Sequence, residues 1–255
     1  MGFDVVEIPV EDPELIDTEL VRQALKENDL IAEICGAFGP TRDLTHSDIS
    51  VHQNCFDYLE ECFRISAELG GEFVAGPMYS AVGKVRLLTD DDRKAEWDLA
   101  VNNLKKVCEM ADGFGQKIAL EPLNRFESDL VNTSEDVVRM IRDINHPAAK
   151  ILLDSFHMSL EERNLKDAIE TAGSDLIHLQ VSENYRGAPG TGQTSWEDIK
   201  EGLKAIDYQG TVSIESFTPN VKELAGAVCI WRKFSESQDQ FASDGIKFLK
   251  SLFSE

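Results

Sequence analysis

Seven short β-rich runs alternate with longer amphipathic segments along the whole chain. The β-rich runs lie at residues 5–9, 31–37, 72–77, 117–122, 150–154, 176–181 and 211–217. The segments with a helical pattern lie near residues 17–28, 51–69, 90–113, 134–144, 164–172, 195–207 and 240–253. Strands that alternate with helices are typical of βαβ units, in which each helix returns the chain so that the strands run parallel. The sequence therefore predicts an α/β protein with a parallel sheet.

The number of these units favours one fold over the other α/β folds. Seven visible units in 255 residues fit a TIM (β/α)₈ barrel, and we expect a single domain over residues 1–255. A doubly wound open sheet is the alternative, but no GxGxxG motif follows any of the predicted strands. The chain opens as if at the end of a helix, with "GFD" leading straight into a strand. We therefore expect the first βα unit of the barrel to be missing from this chain.

Charge and cysteine content limit the partners and the compartment. The net charge is −22, and such an acidic surface repels nucleic-acid phosphates and anionic lipids. We therefore expect neither nucleic-acid binding nor membrane binding. The five cysteines are odd in number and form no CxxC pair, which fits a reducing, cytoplasmic setting. The amino terminus has neither a basic region nor a long apolar stretch, so we expect no signal peptide.

Polar side chains stand at the ends of four successive predicted strands. They are Glu121 in "IALEP", Asp154 in "ILLD", Gln180 in "HLQV" and Glu215 in "SIES". The carboxyl ends of barrel strands meet at one rim, so these four side chains should converge there. Carboxylates this close repel one another unless a cation lies among them, and an oxygen-rich site suits Mn²⁺, Mg²⁺ or Co²⁺. For any one of these acids, an ion pair or a helix cap is the plainer interpretation. Four together favour a metal site.

Further polar residues follow these strand ends in the loops. Asn124, Arg125 and Glu127 follow the first, and His157 follows the second. For His157, a first-turn helix residue that bonds backbone is an equal alternative to a functional role. His178 is expected to point away from Gln180 and to be a packed core histidine.

The residues around these positions resemble a known family. "IALEPLNRFESDLVNT", "ILLDSFHMSLEE", "SENYRGAPGTGQTSWEDI" and "VSIESF" are similar to the sugar isomerase/epimerase family with a xylose-isomerase-like TIM barrel. The nearest branch is the ketose 3-epimerases of the D-tagatose/D-allulose type. The resemblance implies a divalent metal, with Mn²⁺ preferred and Co²⁺ or Mg²⁺ as alternatives. The implied ligands are Glu121, Asp154, Gln180 and Glu215.

The resemblance also implies residues that contact the sugar, namely Glu127, His157 and Arg186. One departure concerns the metal, because the ligand that is a histidine in the family is Gln180 here. An amide oxygen can bind a hard cation, so we expect the site to survive with a changed metal preference. The other departure is the absence of the family's first strand and helix.

The implied chemistry is proton transfer next to a carbonyl group. Such a proton leaves only if the developing enediolate is stabilised, which a metal does as a Lewis acid. We expect Glu121 and Glu215 to exchange the roles of base and acid on the two faces of the sugar.

Several alternatives stay open. The chain could act on 3-keto-glycosides, as a metal-dependent epimerase or lyase. An endonuclease of the apurinic-site type shares the barrel class, but the net charge of −22 argues against it. The chain could also be a non-catalytic sugar-binding or partner subunit. The expected partner is a small sugar; the oligomeric state is left open, with a homo-oligomer as one option.

Overall fold

The computed structural model describes residues 1–254, apart from the side chains of residues 223, 224 and 227. Within these residues, seven parallel strands form one sheet in the order β1 to β7. The strands are β1 (Val5–Val10), β2 (Ile31–Gly36), β3 (Phe73–Gly76), β4 (Lys117–Leu120), β5 (Ala149–Asp154), β6 (Leu176–Val181) and β7 (Thr211–Ile214).

Helices connect the strands and cover the outside of the sheet. They are α1 (Thr18–Asn28), α2 (Ile49–Leu69), α3 (Asp90–Gly113), α4 (Ser134–Ile144), α5 (Ser155–Glu161), α6 (Leu165–Ala172), α7 (Trp196–Ala205), α8 (Lys222–Ala227) and α9 (Gln238–Phe253). Short 3₁₀ turns occur at Pro13–Leu15 and Gly173–Asp175. The sequence predicted the longer helices and missed α5 and α8, which are too short to show a helical period. None of the described helices is both long enough and apolar enough to cross a bilayer.

The sheet curls into a nearly closed barrel, as the sequence predicts. Its two end strands, β1 and β7, meet through side chains, since Ser213 donates a hydrogen bond of 2.6 Å to Glu7. The predicted TIM barrel with seven visible units is therefore confirmed.

Local sequence signals account for the helix starts next to the site. Thr133 and Asp136 form a reciprocal capping box at the start of α4, so two backbone N–H groups without helical partners are satisfied. Asp154 ends β5 and also caps α5, because its Oδ1 accepts a hydrogen bond of 2.6 Å from the backbone N–H of Phe156. The chain thus turns from strand to helix at a residue of the predicted site.

The barrel has an apolar layer inside and is open at the amino-terminal ends of its strands. The apolar layer consists of Phe73, Ala75, Ala119 and Leu152, which are all buried. A cavity of about 1260 Å³ lies at the amino-terminal ends of the strands and is bordered by both end strands. The predicted site lies at the opposite, carboxyl-terminal ends.

Candidate active site

The four predicted ligands come from neighbouring strand ends on one rim. Glu121 directly follows β4 and Glu215 directly follows β7, while Asp154 and Gln180 lie in β5 and β6. The strand register places Asp154 beside Gln180 and Gln180 beside Ser213, two residues before Glu215. Glu121, Asp154 and Gln180 are buried. Carboxylates in such positions lose hydration and need a cation or hydrogen-bond donors.

Arg186 is the cation that contacts two of these carboxylates. Its Nη1 donates a hydrogen bond of 2.6 Å to Oδ2 of Asp154 and also contacts Oε2 of Glu215. The guanidinium lies over the ring of Phe156, at 4.1 Å from the ring centroid. Burial alone would raise the pKa of Asp154, but Arg186 and other donors hold that pKa below its ordinary value. The structure therefore brings Arg186, a predicted sugar-contacting residue, into the same cluster as the predicted ligands.

The loop that carries Arg186 is held by a buried carboxylate. Glu183 accepts hydrogen bonds from the backbone N–H of Gly190 at 2.7 Å, from that of Thr194 at 3.1 Å and from the indole N–H of Trp196 at 2.8 Å. Arg186 itself has a left-handed backbone, with φ of 63°. These contacts fix the loop so that the guanidinium reaches the rim.

His157 faces the cluster as a hydrogen-bond donor. Its Nδ1 accepts a bond of 3.0 Å from the backbone N–H of Asn124, so in the neutral ring the proton lies on Nε2. Burial lowers the pKa of His157 to about 3, so the ring is neutral. Nε2 lies 3.5 Å from Oε1 of Glu121 and 3.2 Å from Nη2 of Arg186. With the proton on Nε2, this nitrogen has no free lone pair for a metal, which fits the predicted role as a donor to substrate oxygens.

The remaining predicted sugar-contacting residue lies next to this histidine. Oε1 of Glu127 accepts a hydrogen bond of 2.8 Å from the side-chain amide of Asn124. The same amide nitrogen lies 2.9 Å from Nδ1 of His157. Burial raises the pKa of Glu127. One asparagine therefore links Glu127 and His157 into a single polar wall.

The two outer carboxylates of the rim differ from Asp154 in their ionisation. Burial, reinforced by the charge of Asp154, raises the pKa of Glu121 well above its ordinary value. Burial likewise raises the pKa of Glu215, although Arg186 opposes it. Raised pKa values of this kind are common among buried carboxyl groups in active sites.

The site has the donor atoms that a hard cation requires. Carboxylate oxygens of Glu121 and Asp154 lie within 4.8 Å of each other and of a ring nitrogen of His157. The Oε1 atom of Gln180 is buried and has no hydrogen-bond partner among the described residues. A buried acceptor without a partner costs about 1–3 kcal/mol, which a bound cation would offset. Carboxylate oxygens and a side-chain amide oxygen are ligands that suit hard cations such as Mn²⁺ or Mg²⁺.

Two residues near the rim were not predicted from the sequence to belong to the site. Glu7 of β1 accepts a hydrogen bond of 2.6 Å from Nε2 of Gln180. Cys35 of β2 lies close to the site. Burial raises the pKa of its thiol, and the negative charges of Glu7, Glu121 and Glu215 raise that pKa further. A polar residue that alternates with apolar ones in a strand could have indicated Glu7, since this alternation marks one face of the strand.

The prediction that His178 points away from Gln180 is wrong, whereas the prediction that it is a packed, buried histidine is confirmed. Residues two apart in a strand point to the same face, so His178 and Gln180 both face the barrel interior. His178 Nε2 lies 3.1 Å from Oε2 of Glu7, and its ring packs 5.2 Å from that of Phe73. His178 is therefore a buried polar residue of the barrel interior.

Comparison with known proteins assigns the chain to a family. The sequence profile of the xylose isomerase-like TIM barrel matches residues 1–252. The chain belongs to this family. The resemblance read from the sequence motifs is thereby confirmed.

Relatives within the family are sugar epimerases. The chain is 28% identical to L-ribulose 3-epimerase of Methylomonas sp., over 99% of this chain and 88% of that protein. It is 30% identical to 3-dehydro-D-guloside 4-epimerase of Escherichia coli, over 84% of this chain and 82% of that protein. The crystal structure of D-allulose 3-epimerase from Methylomonas sp. in complex with D-allulose matches with a TM-score of 0.91 at 28% identity. That match covers 98% of this chain and 86% of the crystallised one.

Proposed function

We propose that this chain is a metal-dependent ketose 3-epimerase. The observation that carries the proposal is the convergence of three carboxylates at one rim, two of them buried. Asp154 and Glu215 contact the same nitrogen of Arg186, and Glu121 lies within 4.8 Å of Asp154. Sugar epimerases of the same family supply the chemical context.

Four residues would hold the metal, namely Glu121, Asp154, Gln180 and Glu215. Mn²⁺ is the proposed ion, with Co²⁺ or Mg²⁺ as alternatives, since an amide in place of an imidazole favours harder cations. When bound, the ion would polarise the carbonyl of the ketose and stabilise the negative charge of an enediolate.

Glu121 and Glu215 are proposed to move the proton. They follow β4 and β7, so two strands separate them along the rim and they can flank a sugar bound between them. One carboxylate takes the proton from carbon 3, and the other returns a proton to the opposite face of that carbon.

Three further residues are proposed to hold the sugar. His157 presents the proton on Nε2, and Arg186 presents a guanidinium that stacks on Phe156. Both are donors for sugar oxygens. Glu127 is an acceptor for a sugar hydroxyl group. Donors and an acceptor on one wall would fix the orientation of carbon 3 between the two carboxylates.

A second candidate activity is epimerisation or elimination on a 3-keto-glycoside. The relative named as 3-dehydro-D-guloside 4-epimerase supports it, because it is 30% identical to this chain. The same residues would serve, since a carbonyl group again acidifies the neighbouring C–H bond.

A cytoplasmic setting belongs to the proposal as well, because the cysteines are free thiols.

The test is a substrate panel with and without metal. D-allulose, L-ribulose and a 3-keto-glycoside are each incubated with Mn²⁺ or with EDTA, and products are separated by chromatography. We expect epimerisation of a free ketose at carbon 3 that stops in EDTA. Glu121→Gln and Glu215→Gln should each lower turnover about 10²–10⁴-fold, the range for loss of a general acid or base.

Glu162→Gln is the matched control, because Glu162 is an acid outside the cluster that bonds the backbone of Ser134. Turnover of only the 3-keto-glycoside would establish the second candidate. A chain that binds sugar and turns over none of them would be a sugar-binding subunit, and the proposal would be rejected.

A further inference from the structure

Glu7 lies in the first strand of the sheet, and its carboxylate contacts side chains of the last two strands. Its Oε1 accepts a hydrogen bond of 2.6 Å from Nε2 of Gln180. Its Oε2 accepts a bond of 2.6 Å from Ser213 and lies 3.1 Å from Nε2 of His178. The side chain of Glu7 is only 12% exposed. Three partners on two strands therefore fix one carboxylate below the candidate metal site.

The contact with Glu7 decides which way the amide of Gln180 points. A side-chain amide has a donor end and an acceptor end, and the two can exchange by rotation. The oxygens of Glu7 accept hydrogen bonds from Ser213 and Gln180, so Glu7 selects the NH₂ end of the amide. Oε1 of Gln180 is then directed away from Glu7. This oxygen is buried and has no partner among the residues that the structure describes.

We propose that Glu7 is a positioning residue that holds the amide oxygen of Gln180 toward the metal. The inference rests on the proposed function, because it takes Gln180 to be a ligand. Ser213 and His178 hold the second oxygen of Glu7, so the carboxylate cannot swing away from the amide. Outer partners of this kind fix the orientation of a metal ligand and raise its affinity for the metal.

A plainer role for Glu7 would be to join the two end strands. Ser213 lies in β7 and Glu7 lies in β1, so their hydrogen bond bridges the seam of the barrel. That role predicts a loss of stability with no change in metal binding. Measuring metal affinity and unfolding on the same variants separates the two roles.

The experiment titrates Mn²⁺ into the metal-free chain and follows the EPR signal of free Mn²⁺. Glu7→Met should weaken Mn²⁺ binding about 10–100-fold, the usual effect of losing such an outer partner. Glu7→Gln keeps an acceptor oxygen and should retain most of the affinity. Ser213→Ala removes one of the two partners of Glu7 Oε2 and leaves His178 in place, so its loss of Mn²⁺ affinity should be smaller than that of Glu7→Met.

A double-mutant cycle shows whether Glu7 acts through Gln180. In the Gln180→Ala background, Glu7→Met should change Mn²⁺ affinity by no more than about twofold, near the accuracy of such cycles. An equal loss in both backgrounds would mean that Glu7 acts through its charge, and would overturn the proposal. An equal loss in Glu7→Gln and Glu7→Met would do the same.

Two further results keep the outcomes distinct. A parent chain that binds no Mn²⁺ would overturn the proposed function together with this inference, whereas unchanged affinity in Glu7→Met would overturn this inference alone. If Glu7→Met does not fold, NMR of the parent chain tests the hydrogen bond between Glu7 and Gln180 instead. The side-chain amide protons of Gln180, assigned by their loss in Gln180→Ala, should exchange slowly with D₂O. Exchange as fast as that of a surface glutamine would contradict the bond to Glu7.

Discussion

Replacing Arg186 by methionine tests how the rim is held together without metal. The guanidinium contacts Asp154 and Glu215, and the Arg186 side chain is only 7% exposed. Arg186→Met keeps much of the apolar stem and leaves two carboxylates without their cation. Removing one partner of a buried ion pair costs about 3–5 kcal/mol. For a chain of this size, 1 kcal/mol corresponds to about 2–4 °C, so we expect a fall in Tm of roughly 6–20 °C in EDTA.

Mn²⁺ should rescue this variant more than it stabilises the parent, because the ion replaces the lost positive charge. Stabilisation by a ligand at 100 times its Kd is about 2.7 kcal/mol, and a tighter site gains more. The assay is thermal unfolding followed by circular dichroism, with EDTA and with Mn²⁺. Arg125→Met is the matched control, since Arg125 is exposed and its pair with Glu161 should contribute little. If Arg186→Met melts with the parent in EDTA, the buried pair does not stabilise the rim as argued.

The remaining predictions concern Glu33 and Gln180. Burial raises the pKa of Glu33 to about 7, above its value in an unfolded chain. The folded chain therefore binds the Glu33 proton more tightly than the unfolded chain does. The stability gained in this way is complete below pH 4 and is lost as the pH rises through 7. Because water can reach Glu33 through the cavity, we expect the parent to lose only about 1–2 kcal/mol more than Glu33→Gln between pH 5 and pH 8 in urea unfolding. Parallel pH profiles for the two chains would contradict this. Gln180→His should tighten binding of Zn²⁺ relative to Mn²⁺ in competition titrations, since imidazole suits later transition metals. Gln180→Leu should weaken Mn²⁺ binding and lower turnover together, and normal values of both would make Gln180 a bystander.

The strand ends could be predicted because local pattern determines them. Apolar runs such as Ile151–Leu153 define where a buried strand lies, so the first charge after the run marks the rim. Capping residues define helix starts in the same local way, and α4 begins at Ser134 as predicted because Thr133 caps it.

The contacts across the seam of the barrel could not be predicted in this way. Glu7 and Ser213 are 206 positions apart, and their hydrogen bond depends on how the sheet curls. The orientation of the Gln180 amide follows from that contact, so it also lies outside what local pattern reveals. The error at His178 is of another kind, because strand alternation alone places it beside Gln180 on the inner face.

Deuterium incorporation tests the central claim most directly. The claim is that the rim exchanges a proton at the carbon next to the ketose carbonyl, through an enediolate. The Mn²⁺-loaded chain is incubated with D-allulose in D₂O, and the epimer formed is examined by NMR. We predict deuterium at carbon 3 of every product molecule, because the carboxylate that returns the proton exchanges it with solvent, and no product in EDTA. An epimer that keeps its original hydrogen at carbon 3 would contradict the account.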